Sequence, residues 1–559
     1  MIRLIVATLI TIALIASATL WSAPPATAQI QPQVQQRPNV VMIVPEGYSF
    51  RLHSFGDPVA ITPNLDALAA DGVRYTNSFA TSPVCAPSRA TLLTGMQAIS
   101  FGAQHMRSYQ GGYHPVPPPQ VKAFPELLRA AGYFTYTTGK SDYQFSDMPG
   151  GGPFSIWDKQ SADDFDWRVR RAGEPFYAWI NLDCDHESDT FTPLGHWPHG
   201  FIDVLTQAMR LYEGCSSHGP VKPEDVKVPP YYPDTPTVRT DMARHYNAIH
   251  QVDGQVGEIV KALKDDGLLD NTIILVLPDH GDGLPRAKRD LYEAGIHLPL
   301  IVRWPEKYRP AGATPGSVDD RLVSYVDIAP TLLGIANVPV PSFMQGQDFR
   351  TSHRQYVFEA KDRFDEVMTR QRAVRDARFK YIRNWFPDQP DGYHLKYRDN
   401  QPMMQEMWRL LAEGKLNDVQ KQWFEPVGKE QLFDTAKDPY EFHNLVDDPA
   451  YTADLERLRG AMDSWLAKVG DTSNIPESEL KERFWPGGKQ PDTVAPVIAV
   501  VDGQATVTDT EAGASIGYRL NGGSWRLYTN PIPLNPGDKI EAKAVRYGCK
   551  ESDTVSARL

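Results

Sequence analysis

The residues most suited to chemistry sit in a few short runs. Cys85-Ala86-Pro87-Ser88-Arg89 places a thiol where a helix is expected to begin, with an arginine four positions on. A helix N-terminus favours a negative charge on whatever group stands there. As a purely structural residue Cys85 would be a small buried hydrophobe. Three polar clusters directly follow apolar, strand-like runs: Glu46, His186 and Asp279-His280. In open α/β sheets, sites form outside the carboxyl ends of the strands, so these clusters are expected to converge in one cleft.

The surrounding pattern supplies the elements that would bring them together. Asn39 to Val44, Phe176 to Leu182 and Thr272 to Leu277 are short β-branched or apolar runs of strand length. Thr62-Pro63 begins a helix, with Thr62 as N-cap and Pro63 at the first helical position. Glu126 to Ala131 reads as a helix stopped by Gly132, and Tyr133 to Thr138 as the strand after it. Asp241 to Gly267 has helical spacing, with Gly267 where a C-cap belongs. Strands alternating with helices predict an α/β domain with a mainly parallel sheet. Beyond about Gln345, Tyr356 to Phe358 and Phe379 to Ile382 read as strands and Ala453 to Val469 as one amphipathic helix, a smaller α+β subdomain. From Ala495, short alternating strands with turns at Asp502-Gly503, Asn521-Gly522-Gly523 and Asn535-Pro536-Gly537 predict a small β-sandwich.

Composition sets limits on function. The 559 residues are 41% hydrophobic and 23% charged, values that exclude a disordered or polytopic membrane protein. Lys+Arg 57 against Asp+Glu 69 gives a net charge of −12, which disfavours nonspecific nucleic-acid binding. Arg3, the apolar run from Leu4 to Trp21 and Ala26-Thr27-Ala28 have the order of a secretory signal peptide, predicting a periplasmic or secreted protein cleaved near Ala28 without stable membrane insertion. Four cysteines are too few for a disulfide scaffold. Export permits pairing, and Cys184 and Cys215 are close enough in sequence to pair.

Cys85-Ala86-Pro87-Ser88-Arg89-Ala90-Thr91-Leu92-Leu93-Thr94-Gly95 resembles the sulfatase signature C-x-P-S-R-x-x-L-L-T-G at every fixed position. Asp279-His280-Gly281 resembles the family's D-[NH]-G, and Leu432-Phe433-Asp434 with Asp438-Pro439-Tyr440 its C-terminal motif, so the resemblance spans roughly Pro38 to Val469. Gly283 to Lys288 and His186-Glu187-Ser188 are most similar to the N-sulfoglucosamine sulfohydrolase branch. The resemblance implies an alkaline phosphatase-like fold and modification of Cys85 to formylglycine by a maturation enzyme. One hydroxyl of the hydrated aldehyde attacks sulfur, and the other then expels sulfate. It further implies a divalent cation, Ca2+ first and Mg2+ or Mn2+ as alternatives, held by Glu46, Cys85 in its modified form, Asp279 and His280. Arg89 would hold the formylglycine hydrate, Lys140 and Lys288 would grip sulfate oxygens, and His186 would be the general acid. His105 and Arg107 are further candidates for sulfate or sugar contact, with a surface loop as the equal alternative.

Two positions depart from the family. Gly47 stands where its second strand-end Asp is expected, with Glu46 on the first, which predicts weaker cation binding. Lys140-Ser141-Asp142 replaces Lys-x-His, leaving Asp142 as the candidate base for sulfate release if burial raises its pKa. The expected organisation is a signal peptide over 1–28, a linker over 29–37, a catalytic domain over 38–344, an α+β subdomain over 345–484, a linker over 485–494 and a β-sandwich over 495–559. That last unit resembles the chitobiase C-terminal module, in which Trp525 and Tyr528 would either stack on sugars or fill the core. The leading expectation is a sulfatase acting on sulfate esters or sulfamates of a sulfated carbohydrate. The alternatives are a phosphonate or phosphate ester hydrolase of the same superfamily and a glycan-binding pseudoenzyme.

Overall fold

The computed structural model describes residues 37–559 apart from 146–151, 162, 199, 217 and 510. The signal peptide over 1–28 and nearly all of the 29–37 linker lie outside the described residues. Among these no helix is long and apolar enough to cross a membrane.

Eight strands form the central sheet: β1 (Asn39–Pro45), β2 (Val73–Phe79), β3 (Phe134–Thr138), β4 (Lys159–Ser161), β5 (Phe176–Leu182), β6 (Thr272–Val276), β7 (His297–Arg303) and β8 (Ser317–Ser324). Their order is β4-β3-β5-β1-β6-β7-β2-β8. Only β7 runs antiparallel to its neighbours β6 and β2. Strands β3, β5, β1 and β6 are adjacent and mutually parallel, so their carboxyl ends share one edge of the sheet. That register places the segments after Thr138, Leu182, Pro45 and Val276 side by side. Side chains of β1 and β5 are buried along their whole length, which explains runs of continuous rather than alternating hydrophobicity.

Helices α1 (Pro63–Asp71), α2 (Cys85–Thr94), α3 (Phe124–Ala130), α4 (Phe201–Glu213), α5 (Pro236–Asp265), α6 (Glu293–Ile296) and α7 (Ile328–Ile335) complete this layer. The sheet separates two apolar clusters. Val40, Met42 and Val44 face one with Leu92, Leu93 and Leu332, while Val41 and Ile43 face the other with Leu65, Val252 and Ile259. Pro63 takes the first helical position of α1 as expected, but the hydroxyl of Thr62 does not cap it. Instead the Asp253 carboxylate of α5 accepts from the Asn64 and Leu65 N–H groups at 3.2 and 2.7 Å. A tertiary carboxylate brings a full charge to these donors, which a hydroxyl cannot.

A second sheet holds β9 (Val357–Lys361), β10 (Gln371–Arg375), β11 (Phe379–Asn384) and β12 (Glu430–Asp434), antiparallel in the order β12-β11-β10-β9. Helices α8 (Pro402–Ala412), α9 (Asp418–Lys421), α10 (Thr452–Val469) and α11 (Glu477–Phe484) accompany it. The chain ends in two small antiparallel sheets. One contains β13 (Val497–Val501), β14 (Gln504–Thr508) and β17 (Ile532–Pro533); the other contains β15 (Ser515–Leu520), β16 (Arg526–Leu527), β18 (Lys539–Val545) and β19 (Val555–Arg558). They enclose Ala505, Val507, Ile540 and Ala542. Tyr528 packs against this core and its hydroxyl accepts from the Val507 N–H at 3.1 Å. Trp525 instead lies between Arg519 and Lys543, with its ring 6.4 Å from Phe154 of the large domain. The sandwich is docked: the Tyr547 hydroxyl donates to Glu126 at 2.6 Å and accepts from the Ala123 N–H at 3.1 Å.

Candidate active site

Cys85 is the first residue of α2 and is fully buried. It stands beside the shared edge of the four parallel strands. Its Sγ lies 3.3 Å from His280 Nε2 and 3.9 Å from Glu46 Oε2. Burial alone would raise the thiol pKa, but Lys140, Lys288 and His280 outweigh it and hold Cys85 well below the usual thiol range. A site that favours a thiolate favours any anion placed there.

Arg89, one helical turn on, is the hub beneath Cys85. Its Nη2 donates to Glu46 Oε1 at 2.5 Å, its Nε to Asp279 Oδ2 at 2.9 Å and its Nη1 to Asn181 Oδ1 at 2.5 Å. One guanidinium therefore ties together the ends of β1, β5 and β6. Ser88 Oγ donates to the Asp279 carbonyl at 2.5 Å, fixing α2 to the same strand end. Lys140 Nζ reaches Glu46 Oε2 at 2.5 Å, and His186 Nε2 lies 3.7 Å from the same oxygen. Lys288 Nζ is 3.3 Å from His186 Nε2 and 3.0 Å from Glu187 Oε2. The structure thus brings together Glu46, Cys85, Arg89, Lys140, His186, Asp279, His280 and Lys288.

The donor set fits a divalent cation. Asp279 Oδ1 is buried without a hydrogen-bond partner and lies 3.4 Å from His280 Nε2. Cys85, Asp279 and His280 converge to within 4.8 Å of one another, as do Glu46, Cys85 and His186. His280 Nδ1 lies 2.8 Å from the Gly281 carbonyl, which it can meet only as a donor, and this contact aims Nε2 at Cys85 and Asp279. A buried carboxylate oxygen without a hydrogen bond, beside an imidazole nitrogen and a second carboxylate, is a donor set that a divalent cation fits.

Gly47 is explained by the same imidazole. A Cβ at this position, where φ is +143°, would lie 2.7 Å from His280 Cε1 and 2.9 Å from its Nδ1. The space that a side chain at position 47 would take is filled by the His280 ring. Asp185, which the strand pattern leaves unexplained, secures this turn. Its carboxylate accepts from the Glu46 and Gly47 N–H groups at 2.9 and 3.2 Å. Burial, with Glu46 and Asp279 nearby, lifts its pKa to about 7, against the effect of those N–H bonds.

The remaining candidates separate. Arg107 Nε donates to both oxygens of Asp142 at 2.9 Å, and Lys140 Nζ is 4.0 Å from Asp142. Asp142, the candidate base, is thus a charge partner of Arg107 beside Lys140. His105 is buried, and its charged neighbours are Glu477, Asp362 and Arg363 rather than the groups around Cys85; it does not join the site. Burial, then Lys288 and Lys140, pushes the His186 imidazole well below its usual pKa. Its Nδ1 contacts Ser188 Oγ at 2.9 Å. Glu187 and Arg289 were not legible as site groups. Glu187 accepts from both Lys288 and Arg289, and Arg289 reaches Asp365 of the second sheet's domain at 2.6 Å. Tyr397 from that region places its ring 6.2 Å from His186. Cys184 and Cys215 form a disulfide that closes the segment carrying His186 and α4.

A buried nucleophile position at a helix N-terminus, ringed by two lysines and by cation-binding groups at strand ends, defines a hydrolase of oxyanion esters. The sulfatase family profile matches residues 38–338, and a profile described as N-sulphoglucosamine sulphohydrolase, C-terminal, matches 286–429. An ulvan-active sulfatase of Formosa agariphila is 39% identical over 94% of this chain and 91% of its own length. N-sulphoglucosamine sulphohydrolase of Homo sapiens is 24% identical, covering 80% of this chain and 94% of its own. A solved 2-O glycosaminoglycan sulfatase shares the fold with a TM-score of 0.56, at 19% identity over 79% of this chain and 94% of its own. The chain belongs to the sulfatase family and is a sulfuric ester hydrolase.

Proposed function

We propose that the protein is an exported sulfatase that removes sulfate from a sulfated glycan, with Cys85 converted to formylglycine and a divalent cation held by Glu46, Asp279 and His280. The observation that carries this reading is the field around Cys85: Lys140, Lys288 and His280 stabilise negative charge at a position closed off from solvent. A hydrated aldehyde there would supply the oxygen nucleophile, and the cation would offset charge on the transferred group.

The chain's own residues do the rest. Lys140 and Lys288 bind sulfate oxygens. Arg89 is a positioning residue that fixes Glu46 and Asp279. His186 protonates the leaving oxygen or nitrogen. Burial, and then the two lysines, disfavour its charged form. A bound sulfate offsets the lysines and so favours protonation of the imidazole. The apolar start over 1–28 and the 39% identity to an ulvan-active enzyme support the exported, glycan-directed reading.

The test joins two measurements. Mass spectrometry of the Cys85 peptide from native host protein is expected to show the aldehyde. The same protein should hydrolyse an aryl sulfate and lose that activity with chelator. A fully mature protein with an intact Cys85 thiol would sink the reading.

A further inference from the structure

Helix α4 buries its polar side. Asp203 accepts from the Thr192 hydroxyl at 2.7 Å, and Arg210 donates to the Asp189 and Thr192 carbonyls at 3.2 and 2.7 Å. The Cys184–Cys215 bridge fixes the chain two residues past the end of the helix. Held by these polar contacts, α4 cannot roll its other side onto its own domain.

That other side is apolar and faces out. Phe201, Val204, Leu205, Ala208, Met209 and Tyr212 are all exposed. They follow the i, i+3, i+4, i+7, i+8, i+11 spacing of one helical stripe, and no charged side chain stands among them. The stripe also reads the same in both directions. Reversing the helix exchanges Phe201 with Tyr212, Val204 with Met209 and Leu205 with Ala208. An antiparallel pair about a twofold axis needs that symmetry, because a residue that meets a second one is met by it in return. Val204 against Met209 and Ala208 against Leu205 each set a short side chain opposite a longer one, as interlocking helix surfaces require.

The area decides what such a stripe can hold. The Gln207 side chain donates to the His196 carbonyl at 3.3 Å, which keeps Trp197 at the flank of the helix. Trp197, Phe201 and Tyr212 are 89%, 80% and 89% exposed. These rings alone present roughly 400–600 Å², and with Val204, Leu205, Met209 and Leu211 the patch approaches the roughly 800 Å² per partner of a stable interface. A helix that lies on a lipid surface carries lysines and arginines on an exposed polar face, whereas the polar side of α4 is buried and its one arginine is taken. A sulfated sugar would find no charge on the stripe to pair with. The linker over 29–37 brings only Ile30 and Val34 as aliphatic side chains.

We propose that two copies of this chain pair through α4. The helices lie antiparallel about a twofold axis, with Phe201 of one protomer against Tyr212 of its partner. The pairing does not depend on what the active site hydrolyses.

Sedimentation velocity of the mature protein at micromolar concentration is expected to show a dimer. Val204→Glu with Met209→Glu sets carboxylates against each other across the axis, and Val204→Lys with Met209→Lys does the same with ammonium groups. Each double variant should weaken self-association at least about a hundredfold and keep the far-ultraviolet circular dichroism of the parent. Mixed in equal amounts, the two variants should sediment as a dimer again, because each Glu then faces a Lys. A monomeric parent overturns the proposal, as does a dimer that survives both double variants or a mixture that stays monomeric. A monomeric parent that floats with phosphatidylcholine vesicles would give the stripe to a lipid surface instead, and one retarded by ulvan in affinity electrophoresis, with both double variants released, would give it to a glycan.

Discussion

The His280 ring occupies the space that a side chain at position 47 would take, with Cε1 2.7 Å from the Cβ that Gly47 lacks. A side chain at the end of β1 and the imidazole at the end of β6 therefore compete for one space.

This relationship predicts a double-mutant pattern. Gly47→Asp alone is expected to clash with His280, strain a backbone at φ +143° and reduce cation affinity at least about tenfold. Gly47→Asp with His280→Asn should recover part of that loss, since the Gly281 carbonyl at 2.9 Å and the φ of +143° still oppose a side chain there, giving a non-additive cycle. Calorimetric Ca2+ titration of the four proteins measures it. Additive losses would show that the two positions do not share one space.

His186 as proton donor predicts sensitivity to the leaving group. His186→Ala should cost roughly 10²–10⁴-fold on a sugar sulfate, whose alkoxide needs a proton. On 4-nitrophenyl sulfate, whose leaving group departs unaided, the loss should be far smaller. Equal losses on both would assign His186 to sulfate binding instead.

The Cys184–Cys215 bridge closes 31 residues of separation around His186 and α4. Loop-closure entropy assigns such a bridge about 3–4 kcal/mol. Cys184→Ser with Cys215→Ser should lower stability by an amount of that order in denaturant titration. The same substitution should reduce activity below the denaturation midpoint, because the segment it frees carries His186.

Asp185 predicts a pH dependence of the cation-free protein. Its pKa is raised from 3.8 to about 7 on folding, so its contribution to stability is fully present below pH 3.8 and lost as pH rises toward 7. Melting curves in chelator between pH 4 and 8 should show this fall, and Asp185→Asn should flatten it whatever its effect on absolute stability. A cation bound to Glu46 and Asp279 removes two of the charges that raise Asp185, so saturating Ca2+ should also flatten the slope.

The strands were readable because burial on both faces of a parallel sheet demands continuous apolar runs, as in Val40 to Val44 and Phe176 to Leu182. Glu46, His186 and Asp279-His280 could be placed at strand ends from local pattern alone, and the Cys85 signature marked the centre they surround. Sequence also placed α10 within one residue of its N-terminal boundary and the three turns of the sandwich. Helix α4 is a different case. Its buried side carries Asp203, Thr206 and Arg210, while Phe201, Leu211 and Tyr212 face out, the reverse of the usual pattern. Arg210 is held inside by the Asp189 and Thr192 carbonyls, contacts that no local periodicity encodes.

What the sequence determined by itself was the set of chemical groups and their order along strands and helices, because these follow from periodicity and from short motifs. What only the tertiary structure decided was which groups meet. Asp142 became the partner of Arg107, His105 left the site, Asp253 took over a cap from Thr62, and His280 claimed the space at Gly47. Each of these outcomes depends on distances of a few ångströms between segments remote in the chain. Such distances are fixed by sheet order and side-chain packing, and neither is written in the spacing of residues along one strand.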